Sequence, residues 1–290
     1  MKRTVLALVL IIGLLVIPSA TALAVTFVYP AFSDIANHPA RAELTLMASL
    51  GVYLGTSGIT GPATPNDPLT RAEAVTWIIR ATGRAQVAQN LVGTQPLFFD
   101  WASIPVWSWG FVNAAALLGI VNSPSFSPSS LLTYAEAVTI LVRAVPGHRA
   151  QVPGPPISSW PQNYIQYATA KGFNGPVTVG TSNQNLPITR GDLARMTFAM
   201  QQIGPLTEAG RETCCGAVLP HDETIFEGVL TAFSPTTMDV DDICMGYHTL
   251  TLANTVFMAD TATLTPLVNG IVRVVCDTSG NVVFVQKIGP

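Results

Sequence analysis

The feature that most constrains how this chain folds is a four-residue pattern that occurs three times, at intervals of 63 and 56 residues. The copies are Thr70-Arg71-Ala72-Glu73, Thr133-Tyr134-Ala135-Glu136 and Thr189-Arg190-Gly191-Asp192. A threonine followed three positions later by an acidic residue predicts a capping box at a helix start. Apolar runs follow each copy, at 74–81, 137–144 and 193–200. Because a two-helix unit of this size cannot bury its apolar face alone, we expect the three units to pack together.

Two further elements recur upstream of each capped helix. Phe32-Ser33-Asp34 recurs as Phe98-Phe99-Asp100, and we expect both aspartates to cap the first helix of their unit, with a place at a ligand groove as the alternative. A short apolar helix ending in glycine then follows in each unit, at 43–50, 114–118 and 165–170. Each unit is therefore predicted to be a pair of helices joined by a loop rich in glycine, proline and polar residues.

This compound unit resembles the S-layer homology (SLH) repeat, in which an aromatic-x-Asp start, a helix ending Leu-Gly-Ile and an Ile-Thr-Arg-Ala-Glu motif occur in that order. Leu69–Glu73 and Ile188–Asp192 match the motif well, and the resemblance covers about residues 32–203. It implies three tandem repeats, at 25–84, 95–147 and 155–204, that form a pseudo-threefold prism of helices. It also implies grooves that hold secondary cell-wall polysaccharide, often carrying ketal-linked pyruvate.

The chain departs from the family pattern in each repeat. His38-Pro39-Ala40 stands where a tryptophan is usual, Tyr134 stands where arginine is usual, and the third repeat begins with 157–160 instead of Phe-x-Asp. Trp107 and Trp160 correspond to the family tryptophan in the second and third repeats. We therefore expect one or two of the three grooves not to bind.

Candidate ligand contacts follow from these positions. A cation in the first helical turn opposes the helix dipole by about 0.3–1 kcal/mol, so Arg71 and Arg190 indicate either an anionic ligand or a structural salt bridge. The tryptophans are either platforms for sugar rings or core residues. The full set of candidate glycan contacts is Asp34, Arg71, Asp100, Trp107, Tyr134, Trp160 and Arg190.

The first 24 residues have the pattern of a secretory signal peptide. Lys2 and Arg3 precede an apolar run of 13 residues at 5–17, and Ala22-Leu23-Ala24 offers a cleavage site. The run is shorter than the ~20 residues that span a bilayer. We expect an exported protein with no stable membrane insertion after cleavage, with an uncleaved anchor as the alternative.

Residues 205–290 change to a strand-like pattern. Strands are predicted at 225–233, 237–240, 248–252, 255–258, 270–276 and 282–288, with Asp241-Asp242 as a turn. This pattern favours a small closed barrel, OB-like in kind. The overall fold class is therefore α+β, an all-α three-repeat prism followed by a small all-β domain. The chain's net charge of −3 argues against a nucleic-acid partner.

The four cysteines lie in this second part, at Cys214, Cys215, Cys244 and Cys276. In an exported domain they predict two disulfides, in which Cys214 and Cys215 each bridge to one of the other two. A zinc site is the alternative, although no Cys-x-x-Cys spacing supports it. We predict neither a metal nor a cofactor.

No nucleophile elbow, P-loop or dinucleotide fingerprint occurs in the sequence. The leading interpretation is a non-enzymatic protein of the cell surface, anchored noncovalently to an anionic wall polysaccharide and displaying the β domain. An envelope enzyme that uses the β domain as its catalytic or substrate-binding module is the alternative, and a lattice protein ranks lower because this domain is small.

Overall fold

The computed structural model describes residues 24–58, 61–145, 147–153, 159–173, 183–200, 224–242 and 245–289. Within these ranges the protein is mixed α+β. Its seven α-helices are α1 (Arg41–Ser49), α2 (Arg71–Ala81), α3 (Ala85–Gln89), α4 (Trp109–Leu117), α5 (Tyr134–Ala144), α6 (Gln162–Ala170) and α7 (Arg190–Met200). The six predicted repeat helices are all present, and α3 is an addition that the sequence analysis did not predict.

The helices pack in a cyclic order. Helix α2 packs on α4, α5 packs on α6, and α7 packs on α1, so each capped helix contacts the first helix of another unit. The segments before the capped helices also pair, through the bridges Thr70–Leu131, Thr133–Pro187 and Pro68–Thr189. The three units therefore close on one another around a shared apolar core.

The predicted capping residues form their bonds at all three helix starts. Thr70 accepts from the backbone N–H of Glu73, whose carboxylate accepts from the N–H of Thr70 at 2.7 Å. Thr133 and Glu136 make the same reciprocal pair, and Thr189 and Asp192 repeat it. Each pair satisfies backbone donors that would otherwise be orphaned at the helix start.

The prediction that Asp34 and Asp100 cap first helices is wrong. Neither α1 nor the 3-10 turn after Asp100 has a side-chain cap. Asp34 instead accepts from the backbone N–H groups of 63 and 64, both at 2.8 Å. Asp100 accepts from the N–H groups of 126 and 127 in the same way. The bonds to Asp34 hold Thr64 at positive φ, and those to Asp100 hold Ser127 at positive φ. Each aspartate therefore fixes the loop that leads into the capped helix of its unit.

The second part of the chain is a six-stranded sheet. The strands are β1 (Thr26–Val28), β2 (Thr224–Phe233), β3 (Thr237–Asp242), β4 (Gly246–Met258), β5 (Ile271–Cys276) and β6 (Asn281–Lys287). Their order is β1-β4-β3-β2-β5-β6, and β4 also pairs with β6 in parallel, so β2, β3, β5 and β6 each have two neighbours and β4 has three. Strand β1 lies in the segment that the sequence analysis assigned to the first repeat.

Two details of the sheet differ from the sequence prediction. The runs 248–252 and 255–258 belong to one strand, β4. Asp241 and Asp242 continue β3 instead of forming a turn. The Asp242 carboxylate is buried and accepts from the backbone N–H groups of Glu227 and Met245, each at 2.9 Å. A buried carboxylate is tolerated here because backbone donors satisfy it.

The sheet packs directly against the helices. Phe257 and Phe284 belong to the same apolar cluster as the helical core. On the edge of the contact, Arg41 pairs with Asp260 at 2.7 Å. The Arg273 guanidinium, itself buried in a pair with Glu227, lies 5.3 Å from the ring of Phe198 on α7.

Several sequence predictions fall outside the described residues. They include the signal peptide apart from Ala24 and the cysteines Cys214, Cys215 and Cys244. Cys276 is described as a free, buried thiol whose burial raises its pKa to about 12. The disulfide pairing stays a prediction. Within the described ranges, none of the helices has the length and apolar content needed to cross a membrane.

Candidate functional site

Two ion pairs between units link the three helix starts. Arg71 pairs with Oε1 of Glu136, and Arg190 donates to Oε1 of Glu73 at 3.1 Å. Each glutamate uses its other oxygen, Oε2, to cap its own helix. One carboxylate therefore closes a helix start and links two units, which is the salt-bridge alternative of the sequence analysis.

The α5 start contributes no arginine of its own to these pairs. Tyr134 occupies the position of the two arginines, and its side chain is only 3% exposed. Burial also raises the pKa of its phenol. The sequence analysis expected this side chain to contact the glycan. Because it is buried, it offers no surface for such a contact, and Tyr134 is a core residue.

The backbone donors at the helix starts are already paired. The first two N–H groups of α2 donate to the carbonyls of Ser130 and Pro128. Those of α5 donate to Leu186 and Gln184, and those of α7 donate to Asp67 and Pro65. The capping pairs use the remaining donors, so the structure does not support an anion bound at the helix N-termini.

A groove lies along α2, and we call it the α2 groove. Its lining includes Tyr53, Thr76, Arg80, Trp107 and Arg190, and its volume is about 260 Å³. Trp107 is 57% exposed, which excludes the core alternative for this residue. The Arg80 guanidinium lies 5.0 Å from the Phe111 ring, and burial lowers its pKa. Arg80 has no carboxylate partner within the described part of the chain.

A second groove lies along α5, and we call it the α5 groove. Its lining includes Arg71, Thr139, Arg143, Arg149 and Trp160, and its volume is about 430 Å³. Trp160 is 46% exposed, and its indole Nε1 donates to Thr139 Oγ1 at 2.9 Å. The Arg143 guanidinium lies 5.2 Å from the Tyr164 ring and donates to the Tyr164 hydroxyl at 3.1 Å.

The two grooves are built from equivalent residues of successive units. Each has a threonine and an arginine from the capped helix, an exposed tryptophan from the next unit and a paired arginine from the preceding one. The Phe-x-Asp aspartates line neither groove. The arrangement offers aromatic faces and guanidinium groups side by side, which suits a sugar ring that carries an acidic group.

The third equivalent position differs in every element that the structure describes. Ala199 stands where Arg80 and Arg143 stand, Arg195 replaces the threonine and Pro39 replaces the tryptophan. Glu43 replaces the aromatic rings of Phe111 and Tyr164. Burial raises the Glu43 pKa, although Arg195 and Arg273 oppose that shift. Because the sheet contributes Arg273 beside α7, this position contacts the β part of the chain. The loop at 174–182 lies outside the described residues.

Sequence reasoning missed Arg80, Arg143 and Arg149 as groove residues. A signal for the first two was present, because an arginine follows the capping threonine by ten positions in the first two units and alanine stands there in the third. Arg149 lies outside the repeated pattern. Among the described residues, no cluster of three or more His, Cys, Asp or Glu side chains could hold a metal ion.

Comparison with known proteins gives matches over part of the chain. The family model of the S-layer homology domain matches residues 98–138. The chain is 36% identical over 171 residues to a surface layer protein of Brevibacillus choshinensis, and 37% identical over 131 residues to the middle cell wall protein of Brevibacillus brevis. It is 28% identical over 170 residues to a cell surface protein of Thermoanaerobacter kivui.

These matches cover 54%, 44% and 56% of this chain, but only 14%, 11% and 20% of the relatives. The chain therefore spans a fifth or less of the curated proteins that it matches. The matched family model, the surface-layer and cell-wall relatives and the repeated capped helices agree with one another. By these comparisons, residues 98–138 match the S-layer homology domain, and the chain is similar to S-layer and cell-wall proteins of the cell surface over about half of its length.

Proposed function

We propose that this protein is held noncovalently on the cell surface by wall polysaccharide bound in the α2 and α5 grooves. The observation that carries the proposal is the matched lining of the two grooves, in which an exposed tryptophan stands beside an arginine without a carboxylate partner among the described residues. A tryptophan face packs on the apolar side of a sugar ring, and the guanidinium pairs with an acidic substituent.

The polysaccharide is proposed to be anionic, with ketal-linked pyruvate as its acidic substituent. Each groove holds one arginine whose guanidinium is fixed by neutral contacts, Arg80 on Phe111 and Arg143 on Tyr164. A carboxylate meets a positioned positive charge there without breaking an existing ion pair. Three SLH repeats in tandem, two of them with binding grooves, make up this anchor.

The β part is proposed to be a closed, OB-like sheet displayed by the anchor. Each of β2 to β6 has at least two neighbours, and β4 pairs with β6 in parallel. Its interior is filled by buried apolar side chains, among them Leu230, Val240, Met258 and Val274. A filled interior favours a display module over the alternative, an envelope enzyme whose catalytic or substrate pocket lies in this part.

A pull-down on purified walls tests the proposal. The exported chain is incubated with wall fragments that carry the secondary polysaccharide, with fragments extracted to remove it, and with fragments stripped only of pyruvyl groups. The proposal predicts retention on the first and loss on the other two. Equal retention on extracted fragments would show that another wall component is the ligand.

A further inference from the structure

Arg149 distinguishes the two grooves. It begins a short 3-10 turn, Arg149–Gln151, after α5, and it is exposed to solvent in the lining of the α5 groove. Its Nη1 donates to the carbonyl of Gly119 at 3.2 Å. A neutral carbonyl positions the guanidinium without cancelling its charge. No carboxylate pairs with Arg149 within the described residues.

The corresponding segment after α2 places its arginine differently. Arg84-Ala85-Gln86-Val87 after α2 recurs as Arg149-Ala150-Gln151-Val152 after α5. Arg84 donates to the carbonyl of Ala144 at the end of α5, and burial lowers its pKa. It lines neither groove. In the second copy, Arg149 therefore lines a groove, whereas in the first copy Arg84 binds the carbonyl at the end of α5.

The placement of Arg149 is fixed by its neighbour. The His148 ring lies 5.0 Å from the ring of Phe173 and 6.0 Å from that of Tyr167. Its Nδ1 is 2.7 Å from the Tyr167 hydroxyl. These contacts hold the turn against α6, so the backbone of Arg149 is fixed beside the groove.

The two linings consequently differ in charge. Both contain one glutamate, but the α5 groove contains three arginines and the α2 groove contains two, so the net charges are +2 and +1. The α5 groove is also the larger. In it, Arg143 and Arg149 are both without a carboxylate partner among the described residues, whereas Arg71 is paired with Glu136.

We propose that the two grooves take different parts of the polymer, and that Arg149 makes the α5 groove selective for a segment with two neighbouring acidic groups. Arg143 binds one acidic group and Arg149 binds the second. The α2 groove, with Arg80 alone, binds a segment with a single acidic group. This inference rests on the proposed binding of wall polysaccharide in both grooves.

The test separates the polymer by charge. Fragments of secondary cell-wall polysaccharide are fractionated by anion exchange into a low-charge and a high-charge pool, and each is titrated calorimetrically into the exported chain. Arg149→Gln is expected to weaken binding of the high-charge pool about tenfold at one site, which is the loss typical of one exposed charge-assisted bond. The affinity for the low-charge pool should stay unchanged. Arg149→Lys should recover part of the loss.

Lys287→Gln is the matched control, because it removes one positive charge from an exposed residue of β6 that lines neither groove. It should change binding of neither pool. Equal weakening of both pools by Arg149→Gln, or no weakening, would overturn the selectivity while leaving wall binding intact. Failure of the parent chain to bind either pool would instead overturn the proposed function itself.

Discussion

Several single side chains in this protein stabilise segments that are remote from them in sequence. Asp100 is the clearest case, since its carboxylate accepts the N–H groups of Phe126 at 2.8 Å and Ser127 at 2.7 Å. Desolvation by burial acts to raise its pKa, but the bonds from these two N–H groups outweigh it, and the pKa is lowered. The charged carboxylate therefore stabilises the loop before α5, and Asp34 does the same before α2.

Asp100→Asn should lower the free energy of unfolding at pH 7 by about 1 kcal/mol, a discounted value because solvent screens this partly exposed site. A depressed folded pKa gives stability that is present above the unfolded pKa of about 3.9 and is lost as pH falls through the folded value. The gap between parent and variant, measured by urea unfolding, should therefore shrink between pH 7 and pH 2. A gap of constant size would contradict this role for the charge.

At the scale of helices, a glutamate at two of the three capped starts couples capping to assembly. Glu136 caps α5 through Oε2 and receives Arg71 through Oε1. Glu73 does the same with α2 and Arg190. The loss of a cap should thus disturb the ion pair that shares its carboxylate, and leave the other ion pair unaffected.

A double-mutant cycle measures this coupling. Thr133→Ala should cost about 1 kcal/mol of stability because the cap is lost. Combined with Arg71→Met, it should show an interaction energy of roughly 0.5 kcal/mol or more, since both residues contact Glu136.

The matched control is Thr133→Ala with Arg190→Met, because Arg190 contacts Glu73 instead. Here the two effects should add to within about 0.5 kcal/mol. If the two cycles give the same interaction energy, the shared carboxylate does not couple capping to assembly.

Sequence alone predicts those elements whose cause is local. The capping partners lie three residues apart, so the pattern of Thr133 and Glu136 contains all the information that the bond needs. The bonds of Asp34 span 29 and 30 residues, and the pair of Arg190 with Glu73 spans 117. Such contacts depend on how the three units pack against one another, and the hydrophobic periodicity of the sequence does not contain that information. Asp241-Asp242 shows the reverse error, where turn-forming residues continue a strand because backbone donors satisfy Asp242.

For the whole molecule, the main consequence of the fold is that the helical part and the β part share one interface. Strand β1 lies near the start of the described chain and pairs with β4, while Phe257 and Phe284 join the helical core. The sheet meets the helices at the third position, where Ala199 and Glu43 replace the groove residues. The protein therefore presents two grooves and fixes the β part relative to them.

Shared burial predicts cooperative unfolding. Differential scanning calorimetry of the exported chain should show a single transition, with a calorimetric enthalpy close to the van't Hoff enthalpy. Asp260→Asn, which removes the ion pair with Arg41, should lower the midpoint of that transition as a whole. Two resolved transitions, only one of which shifts in the variant, would show that the parts unfold independently.

We expect two grooves to hold the polymer, each through an arginine of its capped helix, Arg80 or Arg143, that has no carboxylate partner among the described residues. Calorimetric titration of the exported chain with short, pyruvylated wall-polysaccharide fragments tests it most directly, with melting curves as the control for folding. Two fragments should bind per chain. Arg80→Gln or Arg143→Gln should weaken one site at least about tenfold, and the double variant should weaken both sites. Three fragments per chain, or a folded double variant that binds as tightly as the parent, would contradict it.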